Sequence, residues 1–180
     1  NAIYSIPVIG GIIGGILIGA FWQVLVIFGL HWGLVPLAMI NYGLLGYDFI
    51  LSPCFCVSFA QTFVVLAIIL KTKDQKLKKI AIPAFISGIF GVTEPAIYGV
   101  TLPKKKPFIY SCIAGAIGGA FTGLMGTRSY SIGGLGLFGL PSFIDTTGDM
   151  GITNMIYIII AILIASVIGF VLTYALYKDE

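Results

Sequence analysis

One stretch constrains this chain more than any other. Gly91-Val92-Thr93-Glu94-Pro95 sets a carboxylate inside an apolar run from Ile80 to Pro103. Lys71, Lys73, Lys76, Lys78 and Lys79 precede that run, and Lys104, Lys105 and Lys106 follow it. The run matches one membrane crossing, about 20 residues. Lysine clusters mark the cytoplasmic side of a membrane. A single crossing would carry one cluster to the wrong face. The run is therefore expected to enter and return as a re-entrant hairpin, turning near Gly91 to Pro95. Non-helical backbone at membrane depth is tolerated only where protein buries it or where it lines a wet cavity. Glu94 is thus expected at the tip of a broken hairpin, facing a polar site. An ionisable group held there is a functional candidate.

The membrane reading rests on charge. Of 180 residues, 58% are hydrophobic and 9% charged, with a mean hydropathy of +1.06. A soluble domain carries roughly 25% charged residues. The expected class is an all-α integral membrane protein, with transmembrane helices and one or two re-entrant hairpins, in contact with the lipid membrane. The net charge of +3 does not point to nucleic acid, because eight of the ten basic residues lie between Lys71 and Lys106. There they report topology. No basic region precedes the first apolar run, so no signal peptide is expected, and we expect a piece of a longer protein. Lys178-Asp179-Glu180 reads as a helix exit into water.

Ile6 to Leu30 is a long apolar segment with Gly11, Gly15 and Gly19 at four-residue spacing. Three glycines on one face let another helix approach closely. Leu34 to Ile40 contains Pro36 and leads to Asn41-Tyr42-Gly43 and Gly46-Tyr47-Asp48, which reads as a broken segment. Phe49 to Leu70 is a span, and Lys71 to Lys79 a cytoplasmic loop. Phe108 to Gly126 should run outward and repeats the ladder with Gly115, Gly119 and Gly123. The apolar centre of 127–153, Gly133 to Ile144, is expected to dip back in as a second hairpin. Ile156 to Tyr177 returns the C-terminus to the cytoplasm. The paired ladders hint at an internal repeat.

Glu94 leads the chemistry, because an ionised carboxylate in the bilayer is unfavourable by about 2.5–3.5 kcal/mol or more unless compensated. A helix-end carboxylate capped by backbone N–H groups is the plainer alternative. Thr93 adds a hydroxyl, and Pro95 frees backbone groups for a ligand. His31, the only histidine, sits beside Trp32 and reads equally as a site residue or an interfacial anchor. Asn41, Asp48 and Gln61 are polar groups in apolar stretches that can serve a ligand or neighbouring backbone. Arg128 reads as snorkelling. Asp145 and Asp149, in a Gly/Thr-rich loop, read as solvated. Cys54, Cys56 and Cys112 with one histidine fall short of four-ligand zinc spacing, so no metal or cofactor is expected.

The run Gly91-Val92-Thr93-Glu94-Pro95-Ala96-Ile97-Tyr98-Gly99-Val100-Thr101-Leu102-Pro103 resembles the signature of a known family. This is the membrane C component of enzyme II of the bacterial phosphoenolpyruvate-dependent sugar phosphotransferase system. The glucose superfamily, in its β-glucoside branch, is the nearest group. Phe28 to Pro36, around His31, resembles the family's histidine segment. Gly134-Leu135 through Gly139-Leu140-Pro141-Ser142-Phe143-Ile144 resembles a later loop of that family.

The resemblance covers nearly the whole chain, 1–180, and implies the C-terminal, sugar-carrying transport part of that component. It implies a bacterial inner-membrane location, a sugar substrate, a phosphorylated B component as partner, and a homodimer formed through an N-terminal half. None of the three cysteines fits the B component's phosphocysteine motif. Within the family, Glu94 and His31 would be the catalytic and substrate-binding pair, with Thr93 and Asn41 as further substrate contacts. Ion-coupled secondary transport with Glu94 as proton site, or a non-catalytic fragment, are the alternatives left by the residues alone. One conflict remains at this level. If Ile6 lay at the cytoplasmic face, a rise of about 1.5 Å per residue would put His31 near the outer face, away from a mid-depth Glu94.

Overall fold

The computed structural model describes residues 7–134, 136–146, 148 and 150–179, without the side chains of Pro7 and Val8. Regular structure among the described residues is all helical, with no strand and one isolated bridge between Asp48 and Ser129. Helix α1 (Pro7–Ile27) leads through a 3-10 turn (Leu30–Gly33) to α2 (Leu34–Leu45). Next come α3 (Ser52–Lys71) and α4 (Gln75–Ile89). The return arm is built from α5 (Glu94–Ala96), a π turn (Ile97–Thr101) and α6 (Leu102–Lys104). Helix α7 (Lys106–Met125), a 3-10 segment (Gly136–Phe143) and α8 (Ile152–Leu176) complete the order. Four helices, α1, α3, α7 and α8, are long and apolar enough to cross a membrane. Helix α2, at 12 residues, spans only about 18 Å against a hydrocarbon core of about 30 Å.

Helix α3 is the hub. Its apolar window is 67% buried, against 28–33% for the other three spans. Helices α7 and α8 pack along it through Cys56, Phe59, Ala60, Ala114, Ala161 and Ala165. The two glycine ladders are each other's partners. Gly11 faces Gly123, Gly15 faces Gly119 and Gly19 faces Gly115, so α1 and α7 run antiparallel with backbones in contact. A Cβ on Gly11 would lie 2.6 Å from the Gly123 carbonyl oxygen, and one on Gly115 would lie 2.6 Å from that of Gly19. No larger residue keeps that approach.

This pairing fixes the direction of α1. Both lysine clusters and the C-terminus share one end of the bundle. The Lys73 amide donates to the Asp179 carboxylate at 2.7 Å, and the Lys104 charge also acts on that carboxylate. Helix α7 starts at this lysine end, so α1 finishes there rather than starting there. That removes the conflict over His31, which follows the end of α1 and folds back against Trp22, with ring centroids 5.8 Å apart.

Two sequence expectations are corrected. Lys71 to Lys79 is not a loop. Only Thr72–Asp74 is non-helical, because Asp74 caps α4 by accepting from the Lys76 amide at 2.8 Å and starts the helix early. Asp145 is not solvated. It is 5% exposed, and its carboxylate accepts from the Met150 amide at 2.7 Å, which closes the turn into α8. Asp149 and Leu135 lie outside the described residues.

Candidate functional site

The Ile80–Pro103 run folds as a helical hairpin. Helix α4 ends at Ile89 and the return arm begins at Glu94. The tip is closed by its own backbone: Phe90 and Val92 amides donate to Ser87 O at 3.1 and 3.0 Å, and Gly91 to Gly88 O at 2.9 Å. Gly91 has φ 90°, a conformation glycine takes without steric cost. Pro95 falls in the first turn of α5, where its missing N–H leaves no bond unmade.

A second chain segment meets this tip. Gly136 packs so closely on the backbone of Ile89 to Gly91 that a Cβ there would overlap it. Phe138 stacks on Phe90 at 5.6 Å, and Phe143, fully buried, meets Phe55 edge-on at 4.8 Å. The segment 136–143 thus reaches from the far end of α7 and α8 down to the tip.

Beneath the tip lies a cavity of about 200 Å³. His31, Thr93 and Glu94 line it together with Trp22, Trp32, Ser58, Phe55 and Gly136. Thr93 is buried, whereas Glu94 is exposed at the rim of this chain rather than enclosed by it. The imidazole lies between two indoles, 5.8 Å from Trp22 and 5.6 Å from Trp32, and its buried Nδ1 has no protein partner among the described residues. Tyr98 ties the two halves of the site together. Its hydroxyl lies on the Val26 and Ile27 carbonyls at the end of α1, at 3.3 and 3.1 Å. Both carbonyls belong to the last turn of α1, where the helix itself supplies no i+4 amide, and Val26 O also accepts from the Gly29 amide at 3.0 Å.

The chemistry of this cavity is mixed. A carboxylate, an imidazole and two hydroxyls, Thr93 and Ser58, converge among aromatic faces. Few placed polar groups in an otherwise apolar cleft fix the orientation of a small ligand. A ligand rich in hydroxyls meets both needs, because a carboxylate makes a charge-assisted bond to a hydroxyl while rings cover its C–H faces.

Asn41 is not in this cavity. It lines a larger, mostly apolar one of about 690 Å³ near α1, α2 and α7, and its amide donates to Asp48 Oδ1 at 2.7 Å. Asp48 is fully buried, also accepts from the Leu51 amide at 2.8 Å, and pairs its backbone with Ser129. Arg128 rests on the Tyr47 ring at 4.2 Å. This polar knot joins the end of α2 to the end of α7.

Ser58, Trp22 and Tyr98 escape a residue-by-residue reading. For Ser58 a signal exists, since Ser58, Gln61 and Thr62 at i, i+3 and i+4 form a polar ridge on one face of α3.

Residues 3–115 match the family model described as phosphotransferase system, EIIC. The chain is similar to "PTS system beta-glucoside-specific EIIBCA component" of Halalkalibacterium halodurans, 60% identical over 139 residues, 77% of this chain and 22% of the relative. Its likeness to the protein of that description from Dickeya chrysanthemi is 45% over 140 residues, 78% of this chain and 22% of the relative. For Bacillus subtilis the figures are 35% over 167 residues, 92% and 26%. The chain thus spans 22–26% of the length of these relatives. No solved structure matches.

Proposed function

From a chain that belongs to the EIIC family of the phosphotransferase system, we propose the C-terminal transport part of a membrane C component that takes up a β-glucoside. The sugar is then phosphorylated by a B component. The observation that carries this is the meeting of His31 and Glu94, 63 positions apart in sequence, on one cavity with Thr93 and Ser58. The relatives' names supply the sugar class, and the cavity supplies groups suited to it.

In this reading Glu94 accepts a hydrogen bond from the sugar hydroxyl that will be phosphorylated, and His31 holds a neighbouring hydroxyl. Phosphoryl transfer depends mostly on positioning and electrostatics. As the sugar oxygen bonds to phosphorus and the bond from phosphorus to its carrier breaks, the hydroxyl proton passes to Glu94 or His31. The lysine end faces the cytoplasm, which puts the C-terminus and both clusters on the side where a phosphorylated B component docks. The hairpin dips into the membrane from that side, in the bacterial inner membrane. Homodimer contacts belong to the remainder of the full-length protein.

The test is made on the full-length protein. Binding is measured for cellobiose-like and aryl β-glucosides against sucrose, trehalose and maltose, for wild type and Glu94→Gln. Preference for the β-glucosides, lost in Glu94→Gln, is expected. Wild-type transport and sugar phosphorylation by Glu94→Gln overturns the assignment.

A further inference from the structure

The return arm of the hairpin is not a regular helix. Between Glu94–Ala96 and Leu102–Lys104, residues Ile97–Thr101 form a π turn, in which the Leu102 amide donates to Ile97 O. A π turn holds one residue more than an α turn, occurs mostly as a single-turn bulge within an α-helix, and is frequent at functional sites. It needs a local cause, because its hydrogen-bond geometry is less favourable than that of the α helix on either side.

That cause is visible. Thr101 is fully buried, and its hydroxyl donates to the Ala96 carbonyl five residues back, at 3.2 Å. The hydroxyl has one proton, so its remaining partner must be a donor. Gln61 of α3, also fully buried, supplies it: Nε2 donates to Thr101 Oγ1 at 2.5 Å. Next to Gln61 on the ridge, Thr62 packs against Gly88 in the other arm so tightly that a Cβ at Gly88 would overlap it. Ser58, the third member of the ridge, lines the cavity with Glu94. A single face of α3 therefore holds both arms of the hairpin and presents a hydroxyl beneath its tip.

We propose that Gln61 and Thr101 are positioning residues that keep the π turn in place and thereby set the angle at which Glu94 stands over the cavity. The inference rests on the function proposed above. If the π turn relaxes to α, the arm loses one residue of phase. Glu94 then rotates relative to α6 by about 100° around the helix axis, which takes the carboxylate off the cavity. Neither Gln61 nor Thr101 touches the sugar in this account.

Uptake kinetics on the full-length protein separate this from a packing role. Thr101→Val keeps shape and removes the hydroxyl, while Thr101→Ser keeps the hydroxyl. Gln61→Leu removes the donor from the other side. Thr101→Val and Gln61→Leu are expected to raise KM for sugar and to lower the maximal rate of sugar phosphorylation, each at least about tenfold, and Thr101→Ser to restore both. Glu94→Gln is run beside them. If it is defective while Thr101→Val and Gln61→Leu keep wild-type KM, the positioning role is overturned and the site assignment stands. If Thr101→Ser is as impaired as Thr101→Val, the role is packing and the inference is overturned. If Glu94→Gln itself transports normally, the proposed site falls and this inference with it.

Discussion

The Tyr98 hydroxyl donates to the Ile27 carbonyl at 3.1 Å, which ties the return arm of the hairpin to the C-terminal end of α1. The Val26 carbonyl lies within reach of the same hydroxyl at 3.3 Å. Glu94 belongs to one partner of this tie and His31 follows directly on the other. Tyr98→Phe keeps the ring and removes the bond. Tyr98 is 47% exposed, so the loss of stability should be at the lower end of about 0.5–1.5 kcal/mol. The larger expected effect is on geometry: weaker sugar binding at nearly unchanged melting temperature. Equal loss of both would show that the bond serves stability alone.

Gly15 and Gly14 are neighbours with opposite surroundings. A Cβ at Gly15 would run into the Gly119 carbonyl, a backbone atom with no rotamer to move, whereas a Cβ at Gly14 meets nothing within 4 Å. Gly15→Ala must push α1 off α7 and should be destabilising by about 1–3 kcal/mol. Gly14→Ala should be neutral or stabilising by about 0.5–1 kcal/mol, since alanine is the better helix former. Thermal unfolding in detergent of the two variants decides. Equal melting temperatures would mean the ladders do not pack against each other.

Asn154 holds the start of α8 to two other segments. It is fully buried, its Oδ1 accepts from the Arg128 amide at 3.1 Å, and its Nδ2 donates to the Arg128 and Phe143 carbonyls at 2.6 Å each. Asn154→Ala leaves buried backbone groups unpaired, at about 1–3 kcal/mol for each group. Because the Phe143 segment supports the hairpin tip through Phe138 and Phe90, protease cutting within 136–143 should rise in Asn154→Ala before the whole protein unfolds. Simultaneous loss of both would contradict a local clasp.

The glycine spacing in 6–30 and 108–126 announces two close-packing helices, and the lysines flanking 80–103 announce a chain reversal. Both features follow from local rules, and both are present as helices and a helical hairpin. What local rules do not carry is pairing. That Gly11, Gly15 and Gly19 meet Gly123, Gly119 and Gly115 is a tertiary fact, and the direction of α1 depends on it. Polar residues in connecting segments mislead for the same reason. Asp145 sits in a Gly/Thr-rich loop and reads as solvated, but its burial comes from the loop folding inward, which no spacing encodes. The shared cavity of His31 and Glu94 was reachable only through the resemblance, because 63 positions of chain separate them.

The lysine end carries a clasp whose pH dependence has a definite sign. Asp179 Oδ2 accepts from the Lys73 amide at 2.7 Å, and Oδ1 accepts from the Tyr177 hydroxyl at 3.0 Å. The Lys73 N–H, then the Thr72 hydroxyl, hold the Asp179 carboxyl below its ordinary 3.8. Burial first, and the Asp179 carboxylate second, push the Tyr177 hydroxyl up to about 12, so it remains a donor across the usual working range. For a depressed carboxyl the folded state binds fewer protons than the unfolded state. The clasp is therefore complete above the ordinary carboxylate value and is lost as pH falls through the depressed one. The Lys73 amide resonance should titrate with a midpoint below 3.8, and Asp179→Asn should abolish that titration. A second change, approached from the alkaline side near 12, should appear as Tyr177 ionises beside the carboxylate. Because Asp179 lies at the surface, the effect on global stability is expected to be small, so the amide signal rather than a melting curve is the deciding measurement. An acid midpoint at or above 3.8 would mean that Lys73 does not hold the carboxylate, and the contact joining the C-terminus to the first lysine cluster would be lost with it.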